Sequence, residues 1–416
     1  MRNLNAPIEV DEYPAARQSL RIAVVTETYP PEVNGVAATI ASFIEGLRAR
    51  NHDVQLVRPR QKKEELAGSV ERFHEVLVRG LPIPNYPHLK MGLPAKGALI
   101  ALWKLRRPDL VHVVTEGPLG WSSIQAAAKL KIPVCSDFRT NFQSYSKHYG
   151  VGWLQKPIIG YLRKFHNRTR LTMVPTEAMR LQLQESGFNN VCVVARGVDT
   201  QLFTPQRRST ELRRSWGATA ETSVVIHVGR LAAEKNLAAL VQAYDAMRAA
   251  DAALKLVFVG DGPARCELQN RCPHAIFTGI RSGHDLAAHY ASGDMFLFPS
   301  TTETFGNVTP EAMASGLAVL AYDYAAAAQL IQPPRNGLLA PFDDTEAFVR
   351  LAADLASNRD IARAMGARAR VTVEGLSWER VVEQLERLFF QVASEVEPKY
   401  ARGVAGQREI PTTAAS

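Results

Sequence analysis

One rhythm runs through this chain twice and restricts its fold more than any other feature. A short β-branched run enters a glycine-bearing loop, then a helical stretch, then another apolar run. Residues 21–26 (Arg-Ile-Ala-Val-Val-Thr) are the first such run. They pass through Tyr29-Pro30-Pro31-Glu32-Val33-Asn34-Gly35 into a segment with Val36, Ile40, Phe43, Ile44 and Leu47 at helical spacing, and then into the run 53–57. Continuous apolar strands joined by crossover helices make a parallel sheet that is covered on both faces. Further runs stand at 110–114, 133–135, 171–175 and 191–194. A polar, Arg-rich stretch at 204–214 reads as a linker, and the rhythm then restarts at 224–229. A helix from Asn236 follows, with strands expected at 254–260, 275–277, 295–298 and 318–321.

The fold class expected is therefore α/β, with two Rossmann-like doubly wound domains facing across a cleft. The N-terminal domain is placed at 20–200 and the C-terminal domain at 215–376. An amphipathic helix is expected over 377–396, with a loose leader at 1–19 and a disordered tail at 397–416. Ligands of such sheets sit beyond the carboxyl ends of the strands, so a site is expected in the cleft.

A chain of 416 residues that is 46% apolar and 22% charged has enough material for two cores. It reaches nowhere near the roughly 18 consecutive apolar residues of a membrane-spanning helix, and residues 1–14 have no signal-peptide character. Cys135, Cys192, Cys266 and Cys272 form no CxxC pair, which points to reduced thiols, no metal site and a cytoplasmic location.

The net charge of +8 is unevenly spread: residues 101–170 hold twelve Lys/Arg against three Asp/Glu, a local +9. Such a surface calls for an anionic partner, unless it is simply a solvated face. Residues 161–170 and 102–107 interleave aromatic and aliphatic groups with cations, as a segment lying at an anionic membrane surface would. No nucleic-acid-binding module is present, so nucleic acid is not expected as a partner.

Two constellations carry chemistry. Gly229-Arg230-Leu231-Ala232-Ala233-Glu234-Lys235-Asn236 follows a strand and enters a helix, so Arg230 and Lys235 flank a helix amino end suited to a diphosphate. An isolated surface Arg and Lys around a turn would look the same. Glu303-Thr304-Phe305-Gly306-Asn307-Val308-Thr309-Pro310-Glu311 puts one acid in a loop over a strand end and the second in the next helix. Two carboxylates so spaced can hold hydroxyls of one ligand, such as a ribose and a hexose. Helix capping would explain Glu311 alone. Gly260-Asp261-Gly262-Pro263 lacks the third glycine of a dinucleotide fingerprint, since Arg265 stands there, and this argues against a nicotinamide cofactor. No cofactor is expected.

On these motifs the chain resembles the family-4 retaining glycosyltransferases of GT-B fold over roughly residues 20–395. Within them it is most similar to bacterial glycolipid α-mannosyltransferases and diacylglycerol glycosyltransferases. That narrower likeness rests on residues 28–36, Arg139-Thr140-Asn141-Phe142, His148-Tyr149-Gly150 and Arg196-Gly197-Val198-Asp199. The resemblance implies that Arg230 and Lys235 bind the donor diphosphate, Glu311 the ribose and Glu303 the hexose. The backbone of Phe305, Gly306, Asn307, Val308 and Thr309 would touch sugar and phosphate, and Gly35 would let the N-terminal domain close on the phosphates. Arg139, Asn141 and His148 fall on the acceptor side. Many relatives have histidine where Arg139 stands, and glycines where this chain has Ala325 to Ala328.

The implied activity is metal-independent hexose transfer, with retention, from a nucleotide sugar to a membrane lipid or glycolipid. GDP-mannose is the leading donor, and UDP-glucose or UDP-glucuronate with a diacylglycerol acceptor is the alternative. The protein would work in the cytoplasm, peripheral on the inner membrane face. A sugar-nucleotide epimerase and a basic nucleic-acid-binding protein are the rivals outside this class.

Overall fold

The computed structural model describes residues 19–394, apart from 33, 63, 84–85 and 140–154. Asn141, His148 and the expected disordered tail at 397–416 lie outside the described residues. The first sheet and its accompanying hairpin use β1 (Arg21–Val25), β2 (Asp53–Pro59), β3 (Ser69–Val70), β4 (Phe73–Val78), β5 (Gly80–Ile83), β6 (Tyr86–Gly92), β7 (Leu110–Val113), β8 (Val134–Asp137), β9 (Leu171–Val174) and β10 (Val191–Val193). The second uses β11 (Val224–Val228), β12 (Lys255–Val259), β13 (Ile276–Gly279), β14 (Met295–Phe298), β15 (Ala318–Tyr322) and β16 (Leu338–Ala340).

Among the described residues the first sheet is eight-stranded in the order β10-β9-β8-β7-β1-β2-β4-β3, with β5-β6 as a separate hairpin. Its strands run parallel except β3, which is antiparallel to β4. The second sheet is six-stranded and parallel in the order β13-β12-β11-β14-β15-β16. The two expected doubly wound domains are thus present. Strand order reverses between β1 and β7 in one sheet and between β11 and β14 in the other, which opens a crevice at each reversal.

Each sheet has an apolar cluster on both faces. Helices α1 (Gly35–Ala49), α2 (Lys96–Leu105) and α3 (Pro118–Leu130) cover the first sheet, α1 on one face and α2 with α3 on the other. Helix α1 starts where the Asn34 side chain accepts the Val36 and Ala37 N–H groups, and it buries Ile40, Phe43, Ile44 and Leu47. The expected final helix is Trp378–Ser394, and it packs back on the first domain beside α1. There Phe43 meets Trp378 edge-on, with ring centres 5.9 Å apart. The two interdomain crossings run side by side, since Val198 N–H donates to Leu376 O at 2.9 Å.

The stretch 204–214 is not a loose linker. It forms a 3-10 turn (Pro205–Arg207) and a helix (Thr210–Ser215) whose arginines are docked. Arg208 reaches the Gly293 carbonyl at 2.8 Å and Asp294 at 2.6 Å, and Arg213, only 3% exposed, reaches the Ser292 carbonyl at 2.8 Å. Charged residues read as solvated spacer are instead spent on carbonyls at the amino end of the central strand β14.

Candidate functional site

The crevice of the second sheet lies past the ends of β11 and β14. From β11 the chain passes Gly229 and Arg230, makes a 3-10 turn (Ala233–Lys235), and enters helix Leu237–Ala250 through Asn236 in a left-handed conformation, φ 49°. From β14 it runs through Pro299 and Ser300 to Glu303. These two loops meet. The Lys235 ammonium forms an ion pair with Glu303 Oε1, which also accepts from Ser300 Oγ at 2.7 Å. Thr302 Oγ1 donates to Glu234 O at 3.4 Å, and Tyr324 OH donates to Glu303 O at 2.7 Å. Lys235 also stands 5.7 Å from the Phe298 ring centre. Arg230 is half-exposed at the crevice rim, 3.4 Å from Glu234.

Beyond Glu303, Phe305 is buried and Gly306 takes φ +87°, which an L-residue adopts only with strain. Asn307 and Val308 are partly exposed, while Thr309 is buried. Glu311 lies in the first turn of helix Val308–Ala314 and accepts from Tyr290 OH at 2.9 Å. Burial pushes the Glu311 carboxyl up to about 7, although the Tyr290 hydrogen bond opposes the shift. Ala325 holds φ 53°, a left-handed conformation that favours glycine.

Across the cleft, Gly35 comes close to this loop. A Cβ on Gly35 would lie 2.8 Å from Arg196 Nη1 and 3.6 Å from Asn307 Nδ2. Arg196 Nη1 donates to Asn307 Oδ1 at 3.1 Å. Arg196 is 4% exposed, its Nε has no partner, and burial, followed by the neighbouring Arg139, lowers it to about 9. The motifs of the sequence assign this arginine no role. No local signal marks it, since its surroundings come from Gly35 and Asn307, far away in the chain.

Arg139, expected on the acceptor side, is buried beneath the cleft at the end of β8. Its guanidinium pairs with Asp137 at 3.0 Å and covers the Phe43 ring at 5.1 Å. His112 Nε2 stands 3.1 Å from the same carboxylate. Burial alone would raise Asp137, but Arg139 and His112 outweigh it and hold the carboxyl below the usual range. Position 139 therefore faces the site through Arg196 rather than through open solvent.

Two acids at the β1/β7 crevice were not singled out by sequence. Glu27 accepts from Gly92 N–H at 3.3 Å, and burial raises it to about 7. Gly117 makes room for it, since a Cβ there would lie 2.2 Å from a Glu27 carboxylate oxygen. Glu116 is buried 3.5 Å from His166 Nε2.

A cavity of about 60 Å³ joins the two domains. Phe138, Leu162, Met179 and Leu183 form its first-domain wall, and Glu303, Thr304, Tyr324 and Ala325 face them. A larger cavity of about 680 Å³ opens at the amino ends of the second sheet, beside Arg208, Arg213, Asp294 and Arg359. It lies at the wrong end of the strands to serve the crevice.

Comparison with known proteins agrees with this geometry. Residues 33–202 match the family model described as Glycosyltransferase Family 4, and residues 222–358 match Glycosyl transferases group 1. The GDP-mannose-dependent alpha-mannosyltransferase of Mycobacterium tuberculosis is 35% identical over 88% of this chain and 95% of its own length. The protein of the same name from Corynebacterium glutamicum is 32% identical over 95% of this chain and 92% of its own. The sulfoquinovosyl transferase of Arabidopsis thaliana is 30% identical over 90% and 74%. Sucrose-phosphate synthase from Thermosynechococcus elongatus superposes with a TM-score of 0.73 at 19% identity, covering 91% of this chain and all of that one, a likeness of fold. The chain belongs to the family-4 retaining glycosyltransferases of the GT-B fold.

Proposed function

We propose that this glycosyltransferase moves mannose from GDP-mannose to a hydroxyl of a lipid or glycolipid acceptor. The observation that carries the reading is the Lys235–Glu303 ion pair, set in the second-sheet crevice and facing a mostly apolar first-domain wall. On donor binding, Lys235 exchanges Glu303 for the diphosphate, and Glu303 is released to hold the hexose. Arg230 meets the same diphosphate from the rim, and Gly35 admits the phosphates from the other side. Glu311 accepts ribose hydroxyls, and the backbone from Phe305 to Thr309 lines the sugar.

As the bond from the sugar carbon to the phosphate oxygen breaks, positive charge grows on the carbon and negative charge on the phosphate. Arg230 and Lys235 stabilise that phosphate, the task a divalent ion performs elsewhere. The acceptor hydroxyl attacks the face the phosphate leaves, and its proton passes to a phosphate oxygen. The first-domain wall, mostly apolar through Phe138, Leu162, Met179 and Leu183 with Thr176 and Gln182 among them, suits an acceptor with an apolar body and a polar group.

A second reading is a UDP-hexose donor with a diacylglycerol acceptor; its acceptor is favoured by similarity to alpha-monoglucosyldiacylglycerol synthases, which are 24–27% identical. A panel of GDP- and UDP-sugars with extracted membrane lipid, scored by nucleotide release and product mass, separates the two. Transfer from GDP-mannose is expected. Release from UDP-sugars alone moves the assignment to the second reading. Activity is expected to survive EDTA, and full loss restored by magnesium or manganese refutes the charge assignment.

The protein is also proposed to work in the cytoplasm, docked on an anionic membrane through its first domain. Among the described residues no helix is long and apolar enough to cross a membrane. Helices α2, α3 and Gln155–His166 cover one face of the first sheet, and Lys104, Lys129, Lys131, Lys156, Arg163, Lys164 and Arg168 are exposed there. The expected interleaved apolar groups do not lie outward: Trp103, Leu162 and Phe165 pack in the core, and Tyr161 OH is tied to Glu116 O at 2.6 Å. Leu105 alone among these segments' large aliphatics is almost fully exposed. The docking proposal is therefore one of charge.

A further inference from the structure

An arginine costs free energy to bury unless its N–H groups and its charge are met. Arg196 is 4% exposed, gives one described hydrogen bond, to Asn307, and leaves Nε idle. Its position is not accidental slack. Val198 is held to Leu376, and a Cβ on Gly197 would lie 2.7 Å from the Trp378 side chain, so the backbone on its carboxyl side is fixed. The side chain is thereby aimed at the one place where Gly35 of the first domain and Asn307 of the second approach each other.

The surroundings are short of negative charge. Gly35 opens the 15-residue helix α1, whose amino end carries partial positive charge, and Arg139 adds a full one. The nearby acids are already engaged, Asp137 with Arg139 and His112, and Glu303 with Lys235. Burial and Arg139 together lower Arg196 to about 9, as expected for a cation awaiting a counter-charge.

We propose that Arg196 is the third cation of the donor site and binds the terminal phosphate of the nucleoside diphosphate, the group that leaves the sugar. This rests on the donor-site reading above. Arg230 and Lys235 approach from the second domain, so Arg196 would supply positive charge from the interdomain crossing. The phosphate would then be held from both sides of the cleft. A nucleoside monophosphate lacks that terminal group and would not reach Arg196.

The test is calorimetric binding of GDP, GMP, UDP and UMP to the wild type, R196Q and R196K, with melting curves of the ligand-free proteins. Losing a charge-assisted contact should weaken diphosphate binding roughly ten- to hundredfold in R196Q. Monophosphate binding should stay unchanged, and the ligand-free protein should melt no lower than the wild type, since a poorly paired buried charge has gone. R196K keeps the charge without the fork and should fall between the two; it carries the test alone if R196Q does not fold. Equal losses for mono- and diphosphates with a lowered melting point would overturn the proposal in favour of a structural arginine, as would unchanged diphosphate binding. A wild type that binds neither GDP nor UDP overturns the donor-site reading itself. Binding by the wild type matched by R196Q overturns only the role of Arg196.

Discussion

At the scale of single residues, Lys235 and Glu303 are the two whose removal should separate binding from transfer. In the ligand-free protein each neutralises the other, so K235A frees Glu303 to keep only its Ser300 partner. Loss of the lysine's charge-assisted contact with the diphosphate is worth about 1.5–3 kcal/mol, and donor affinity and turnover should both fall accordingly. E303A should bind free nucleoside diphosphate close to normally and yet fail in transfer, because the hexose is absent from that ligand. Near-wild-type transfer by either variant contradicts the assignment. Glu311 gives a test through pH. Its carboxyl is raised from 4.5 to about 7, so the fold favours its protonated form. The stability it contributes is complete below pH about 4.5 and is lost as pH rises through about 7. E311Q fixes a neutral group that still accepts from Tyr290. Its melting-point advantage over the wild type should be absent near pH 4.5, grow toward neutrality and level off above about 7. An advantage that shrinks with rising pH contradicts the burial of this carboxyl.

At the scale of elements, the helix Trp378–Ser394 belongs to the first domain in space and to the end of the chain in sequence. What fixes it there, besides Phe389 and Trp378, is Glu386, which is 5% exposed and takes both Arg50 and His52, the latter at 2.9 Å. Removing one partner of a buried ion pair strands the other, at a cost of about 3 kcal/mol or more. E386A should therefore lower the melting temperature by roughly 6–12 °C, while E386Q, which keeps an acceptor, should lose less. Thermal melts that do not distinguish the two variants from wild type would show that the apolar contacts alone hold the helix. The sequence announced this helix by its amphipathic spacing, but spacing does not say which domain an amphipathic face meets. The buried parallel strands were legible within a residue or two because each is a β-branched run between breakers, as at β1, β7 and β11. Strands β3 to β6 were not, since β3 has two residues, β4 is half-buried and mixes His74 and Glu75 with its apolar groups, and β5 and β6 contain Pro82 and Pro87. The three-residue β16 offered too little pattern. Lys235, Glu303 and Glu311 were legible because turn chemistry beside a strand end marks them. Arg196 and Glu27 were not, because nothing local distinguishes a cation at a crossing or an acid after β1. Only the meeting of distant segments gives them their surroundings.

At the scale of the whole molecule, the basic face and the cleft share one element. Helix Gln155–His166 exposes Lys156, Arg163 and Lys164, while its Leu162 turns inward to line the cavity opposite Glu303. A membrane bound to the first set of side chains would lie beside the wall formed by the second, so docking and acceptor entry are joined by a single helix. Each cation near an anionic leaflet contributes about 1 kcal/mol, and the attraction falls off over a Debye length of about 8 Å at physiological salt. Neutralising Arg163, Lys164, Arg168 and Arg170 to Gln should therefore reduce partitioning by up to roughly a thousandfold at low salt. These arginines also have structural contacts, among them Arg163 with the Ser186 carbonyl at 3.3 Å and Arg168 over the Trp121 ring at 5.1 Å, so an unchanged melting curve is required of the variant. Co-sedimentation with vesicles of graded anionic-lipid content is the measurement. Binding should need anionic lipid, weaken as salt rises, and fail in the variant. The variant should still release nucleotide from the donor in the presence of a short, water-soluble acceptor analogue, since no donor-side group has been touched. Equal binding to neutral vesicles would mean that Leu105 and other apolar groups hold the protein. No binding at low salt would leave the cations as a solvated face and point to an acceptor delivered from solution.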